Sequence, residues 1–220
     1  GDISYEDLLR DTAVHVICMV NPDGISISQL GLDGVQTDAV RENLSQIAQL
    51  DGASLADSTY LKRWKANANG VDLNRNFDAL WDSYADPAGH PSSDHYKGTA
   101  PGCEIESAAL IQLTLQQQFT RTISYHTQGD VIYWYFGQEG DLYDQTLSFA
   151  NTIAATTGYP LDADYQSLDP AGYKDWAIQN QGIPSLTIEV GLQDSPVPAE
   201  QFATIWAENQ FVWEETLKIR

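Results

Sequence analysis

The sequence predicts an α/β protein in which a mixed central sheet lies between helices. Three observations carry that expectation. Helical and extended hydrophobic patterns alternate along all 220 residues. The extended runs are β-branched and aromatic, as buried strands are. Repeats and low-complexity tracts are absent, so the alternation argues for one sheet covered by helices rather than a solenoid or a linker. The length suits a single domain, residues 1–220, with enough chain to bury a sizeable core.

Taken in order, Val14 to Val20 (VHVICMV) reads as a buried strand closed by the turn residues Asn21-Pro22-Asp23-Gly24. Between Gly31 and Asp57, Val40, Leu44, Ile47 and Ala48 share a helical face ahead of a Gly/Ser/Asp-rich stretch, which predicts an insertion on the surface. Glu104 to Phe119 follows Pro101-Gly102 with helical spacing at Ile105, Ala108, Ala109 and Ile111. Arg121 to Tyr125 and Val131 to Phe136 (VIYWYF) predict two strands, the second central. A further helix carries Leu142, Thr146, Phe149, Ala150 and Ile153 on one face, and Pro184 to Val190 (PSLTIEV) predicts another buried strand. Phe202, Ile205, Trp206, Val212, Trp213 and Leu217 recur at helical spacing, which predicts one amphipathic closing helix whose apolar face is core.

Composition excludes some partners. With 31 acidic and 11 basic residues the formal charge is −20, which repels phosphate backbones and argues against nucleic acid. No apolar stretch approaches the roughly 18 residues of a membrane span. Cys18 and Cys103 form neither a disulfide framework nor a thiolate metal site, and free thiols are expected at both.

The chemistry-bearing residues fall in three places. His126 ends a predicted strand and is followed by Thr127, Gln128 and Gly129, which would present an imidazole at the sheet's end; alone, such a histidine is more often structural. Glu189 stands between Ile188 and Val190, where burial would lift a carboxylate toward the range of a general base, although a solvated strand face is the commoner setting. Asp72, Asn74, Arg75 and Asn76 crowd the residues before Phe77. An Arg beside an Asn is suited to a carboxylate, the guanidinium fork binding it bidentately and the amide adding a donor; a turn-stabilising network is the plainer alternative. Lys65 adds a second cation nearby.

The segments MVNPDG (Met19 to Gly24), RWKANANGVDLNRNF (Arg63 to Phe77), YKGTAPGCEIESAAL (Tyr96 to Leu110), SYHTQGDVIYW (Ser124 to Trp134) and KDWAIQNQGIPSLTIEVG (Lys174 to Gly191) together carry a resemblance. The chain resembles the M14 zinc metallocarboxypeptidases, and within them the bacterial γ-D-glutamyl-diamino acid peptidases that cut peptidoglycan stem peptides. The resemblance implies a zinc-dependent peptidase domain with these roles. His126 matches a zinc ligand and Glu189 the general base. Asn74 and Arg75 match the pair that grips the substrate's terminal carboxylate. Lys65 lies near the place of an oxyanion-stabilising Arg. Tyr165 matches a mobile tyrosine that closes over substrate, with Tyr173 a rival, and Gln128 is a further substrate contact. Lys174 falls near the side-chain specificity position, where a cation would suit an acidic side chain such as that of diaminopimelate. The implied partner is a peptide or muropeptide with a free carboxylate.

The family's first two zinc ligands come from an H-x-x-E motif, and that motif occurs nowhere in the sequence. His15 lies inside a predicted strand, and His90 and His95 sit in a Pro/Gly/Ser loop, where surface roles are expected. One imidazole does not hold a three-ligand zinc, so zinc is expected to be absent or weakly bound and this chain to be inactive as a peptidase. A shortened segment, a proteolytic fragment and a pseudoenzyme would each explain this. Uncovered sheet edge and apolar surface near the N-terminal region would then favour a homo-oligomer. Two alternatives accompany the peptidase: a zinc amidohydrolase acting on N-acyl amino acids, and a metal-free module that binds peptide carboxylates.

Overall fold

The computed structural model describes residues 4–165 and 169–219. In chain order these hold helices α1 (Tyr5–Leu9), α2 (Pro22–Leu30), α3 (Asp38–Leu50), α4 (Ser58–Lys62) and α5 (Ile105–Gln117), strands β1 (Thr122–His126) and β2 (Val131–Tyr133), helix α6 (Gly140–Thr157), strand β3 (Leu161–Asp162), helix α7 (Tyr173–Gln181), strand β4 (Ser185–Glu189), and helices α8 (Phe202–Asn209) and α9 (Val212–Lys218). By its contacts the chain forms two compact units. One comprises the residues through Cys18, Arg121–Asp164 and the residues from Gly182; the other comprises Met19–Thr120 and Tyr165–Gln181.

The first unit contains the sheet, in the order β1-β4-β2-β3. β1 pairs parallel with β4, β2 parallel with β3, and β2 antiparallel with β4, so the sheet is mixed as expected. β4 is buried on both faces, Ser185 and Thr187 as well as Leu186 and Ile188, as a central strand is. Helix α6 supplies Phe149, Ala150 and Ile153, each with no exposed surface, to a core with Ile132, Trp134, Leu186, Ile188 and Val212.

The second unit has its own core, made by Ile27, Val35, Leu44, Ile47, Leu61 and Trp64. The α3 face predicted from spacing is confirmed by burial of Leu44, Ile47 and Ala48, and Thr37 caps the helix by accepting from the Val40 N–H. This stretch is therefore core rather than a surface insertion.

Three further expectations are corrected. Residues 14–20 form no strand, and Val16 is 76% exposed. A β-branched run becomes a strand only where a neighbour takes its hydrogen bonds, and none of the described strands does so. Asn-Pro-Asp-Gly does not close a strand but opens α2: Asn21 is the N-cap, accepting from the Gly24 N–H at 2.9 Å, and Pro22 takes the first helical position. The closing helix is two helices broken after Asn209, and only Val212 of its apolar stripe is buried, while Phe202 and Trp206 are 66% and 59% exposed. Both cysteines are free, as expected, and both are exposed, Cys18 included, although its run reads as a buried strand; among the described residues no helix is long and apolar enough to cross a membrane.

Candidate active site

In the second unit the Asn74–Arg75 segment is a short 3-10 turn, Leu73–Arg75, clamped at both ends. Asp72 caps it by accepting from the Asn74 N–H at 3.1 Å, while its own N–H donates to the Tyr96 carbonyl at 2.8 Å. Beyond the turn the Asn76 amide donates to the carbonyls of Lys97 (2.8 Å) and Ala100 (3.1 Å), and the Phe77 N–H donates to the Ala171 carbonyl at 3.0 Å. A turn rich in Asn holds one conformation because its side chains satisfy the surrounding backbone.

The electrostatic centre is Asp72, 1% exposed. The Lys65 ammonium lies 2.8 Å from its Oδ2 and 3.4 Å from Asp94 Oδ1. Burial alone would raise the Asp72 pKa, but Lys65 and Arg75 outweigh it and hold the carboxyl down at about 2. The reciprocal effect operates on Lys65: burial works against its charge, and Asp72 and Asp94 more than restore it.

Arg75 is held on several sides. Nη1 donates to the Asn74 carbonyl at 2.7 Å, Nη2 lies 3.6 Å from Asp169 Oδ2, and the guanidinium carbon sits 5.5 Å from the centre of the Tyr84 ring. Its Nε is buried and, among the described residues, meets no acceptor. Beside it Asn74 Oδ1 accepts from the Tyr173 N–H at 3.2 Å, which leaves the amide's NH2 as the end able to donate. An unmatched guanidinium donor next to an outward amide donor is chemistry suited to a carboxylate.

Lys174 and Asp175 lie beneath this turn. Lys174 is 7% exposed and its ammonium is 2.6 Å from Asp175 Oδ1, while Asp175 Oδ2 accepts from the Gly172 N–H at 3.0 Å. The structure thus places Lys174 in a buried ion pair. The Tyr173 hydroxyl is 2.9 Å from Thr114 Oγ1, and its ring meets Phe77 edge-on at 5.5 Å. Tyr165 is half-buried, and the residues after it, 166–168, lie outside the described ones.

In the first unit His126 and Glu189 are register partners at the C-terminal ends of β1 and β4. Paired positions on adjacent strands send side chains to the same face, so imidazole and carboxylate stand side by side there, both half-buried. The Val190 N–H donates to the His126 carbonyl at 2.9 Å, fixing the strand ends together. Gln128 follows in an exposed loop.

Whether these residues fit zinc is decided by the donor set. Among the described residues His126 belongs to no group of three ligating side chains. The single such group is Asp72, Asp94 and His95, whose ligand atoms lie within 4.8 Å of one another. There the space between the carboxylates is met by the Lys65 ammonium. The described residues therefore do not make a three-ligand zinc site around His126. Sequence reasoning placed His95, with Asp94 nearby, in a surface loop and passed over Tyr84 and Asp169; their convergence on Lys65 and Arg75 depends on loop paths that carry no periodic signal.

Residues 1–212 match the family of zinc carboxypeptidases of the peptidase M14 class, and the chain belongs to that family. It is 34% identical over 207 residues to a γ-D-glutamyl-L-diamino acid endopeptidase 1 from Lysinibacillus sphaericus, covering 94% of this chain and 49% of that protein. It is 33% identical over 187 residues to a carboxypeptidase B from Helicoverpa zea, covering 83% of this chain and 37% of that one. In fold it is similar to thrombin activatable fibrinolysis inhibitor, with a TM-score of 0.55 at 22% identity over 67% of this chain and 41% of that structure. The chain thus spans about half or less of the length of these relatives.

Proposed function

We propose that this chain serves the hydrolysis of peptide bonds in peptidoglycan stem peptides, at γ-D-glutamyl-diamino acid linkages, and that its Asn74–Arg75 turn holds the free carboxylate of the substrate. The observation that carries the proposal is the buried Arg75 Nε with no acceptor among the described residues, set beside the donor end of the Asn74 amide. A buried guanidinium donor is costly to leave unmatched, and a bidentate carboxylate would match it. The substrate class follows the Lysinibacillus relative, whose name carries that linkage.

In this scheme Glu189 takes the proton of the attacking water, and its neighbour His126 contributes the imidazole that the family assigns to metal. Lys65 supplies positive charge for the developing oxyanion, with Asp72 fixing where that charge sits. Tyr165 or Tyr173 would close over bound peptide, and Gln128 would contact it. Lys174, whose ammonium pairs with Asp175, would suit an acidic substrate side chain such as that of diaminopimelate.

A second function, carboxylate binding without metal, is carried by the Asn74–Arg75 turn alone, since among the described residues His126 belongs to no three-ligand group. Calorimetry and hydrolysis assays with one stem peptide separate the two. Heat of binding in chelator together with turnover after zinc addition supports the peptidase. Binding without turnover supports the module, and absence of binding removes the carboxylate turn from both.

A further inference from the structure

We propose that Tyr84 is a positioning residue for Arg75: its ring holds the guanidinium where it can meet a peptide carboxylate. The proposal rests on the carboxylate-binding role given to Arg75 above. It follows from how the two side chains are fixed.

Arg75 has one firm hydrogen bond to the backbone, from Nη1 to its neighbour's carbonyl at 2.7 Å, and a looser ion pair to Asp169 at 3.6 Å. The Asp169 side chain is 48% exposed, so water and salt screen that pair. Neither contact fixes the plane of the guanidinium. Tyr84 adds the remaining restraint: its ring centre lies 5.5 Å from the guanidinium carbon, within the range at which a cation is attracted to an aromatic face, and its side chain is also hydrogen-bonded to Arg75.

Tyr84 can serve because it is itself immobile. It is 4% exposed, follows the turn Trp81–Ser83, and donates its hydroxyl proton to the His95 carbonyl at 3.1 Å, with His95 Nδ1 also within 3.3 Å. From the other side Lys97 Nζ donates to the carbonyls of Trp81 and Tyr84 at 3.1 and 3.2 Å. Tyr84 is thus tied through both its hydroxyl and its backbone to the one loop that carries His95 and Lys97. A planar cation resting on an immobile ring loses less freedom when it captures a ligand, and affinity is gained by that preorganisation.

The test uses L-alanyl-γ-D-glutamyl-L-lysine and its C-terminal amide, titrated into the whole chain by calorimetry in chelator. In the unmodified protein the free acid should bind at least tenfold more tightly than the amide, and Arg75→Gln should abolish the difference. If the unmodified protein does not distinguish acid from amide, the role given to Arg75 fails, and Tyr84 with it. If it does, Tyr84→Phe, which keeps the ring but loses the hydroxyl that anchors it to His95 and bonds Arg75, should lower the acid-to-amide ratio by no more than about threefold. Tyr84→Leu should lower the ratio about five- to tenfold, the span of a partly desolvated cation–π contact. A Leu variant that folds and keeps the full ratio overturns the proposal, since a merely structural tyrosine would lower the melting temperature and spare the ratio. Should the Leu variant not fold, the Arg75 Hε resonance of the unmodified protein decides. An upfield ring-current shift, retained in Tyr84→Phe, supports the stacking, and a random-coil position overturns it.

Discussion

The backbone N–H of Tyr173 donates to the side-chain Oδ1 of Asn74 across 3.2 Å, joining residues 99 positions apart in the chain. This bond sets which end of the Asn74 amide faces outward, and Gly172 makes it possible. A Cβ on Gly172 would lie 2.7 Å from Asn74 Oδ1 and 3.2 Å from Asp175 Oδ2. Gly172→Ala is therefore expected to push the amide aside and weaken binding of the free-acid peptide about tenfold, with a loss of stability of about 1–2 kcal/mol from the overpacked contact. Calorimetry alongside thermal unfolding checks both; unchanged affinity would show that the Asn74 amide does not donate to ligand.

Asp72→Asn removes the charge that Lys65 and Arg75 share. Breaking a buried pair from one side leaves its partner uncompensated, and a loss of about 3 kcal/mol is expected in denaturant unfolding at neutral pH. The pH dependence has a definite sign. The folded-state pKa of about 2 lies below the ordinary 3.8, so the stabilisation is complete above the unfolded value and is lost as pH falls from about 4 toward 2. The Asn variant should lack that acid limb; a variant whose stability falls in parallel with the unmodified protein would assign the limb to other groups.

Asp169 competes for Arg75 with any incoming carboxylate, from a position that leaves its side chain 48% exposed. Asp169→Asn should tighten binding of a free-acid peptide two- to threefold and leave the amide unaffected, a gain within the range of screened ion pairs. Weaker binding of the acid would mean that Asp169 orients Arg75 instead of competing for it.

Chelator should leave the melting temperature of this chain unchanged to within about one degree, because among the described residues no three-ligand set surrounds His126. Differential scanning calorimetry with and without chelator tests this. A drop of several degrees would reveal a bound ion that contributes to folding.

Residues 14–20 expose Val14, Val16, Ile17, Met19 and Val20, from 40% to 76% of each side chain. A contiguous apolar, β-branched run in water favours association, so the apparent mass in light scattering should rise with concentration. Val16→Lys should suppress that rise; a strict monomer at all concentrations would end the idea of self-association here.

Much of the fold was legible because its elements are periodic or continuous. The α6 face Thr146, Phe149, Ala150 and Ile153 is buried as spacing predicts, and β4 is the buried strand its apolar run announces. The misses share one cause: local pattern reports a preference that a neighbour must complete. VHVICMV has the composition of a strand and no described strand beside it, and the Phe202 to Leu217 stripe has helical spacing with most of its large side chains in solvent. At the candidate site the sequence pointed to Asn74, Arg75 and Lys65 through their motif. It gave no access to Tyr84 or Asp169, and it set Asp94 on the surface without its tie to Lys65, since each reaches its cation from an irregular loop.

The order of the sheet has a consequence during synthesis. β1 and β2 are both laid beside β4, which is the last of the four strands to be made, and the Thr122–Ser185 pairing closes a loop of 63 residues. While β2 can find β3 early, β1 has no described strand to join until residues 185–189 have left the ribosome. Nascent chains arrested before that point should keep β1 open to protease, and sheet closure should be the slow, late phase of folding that such distant parallel pairing imposes.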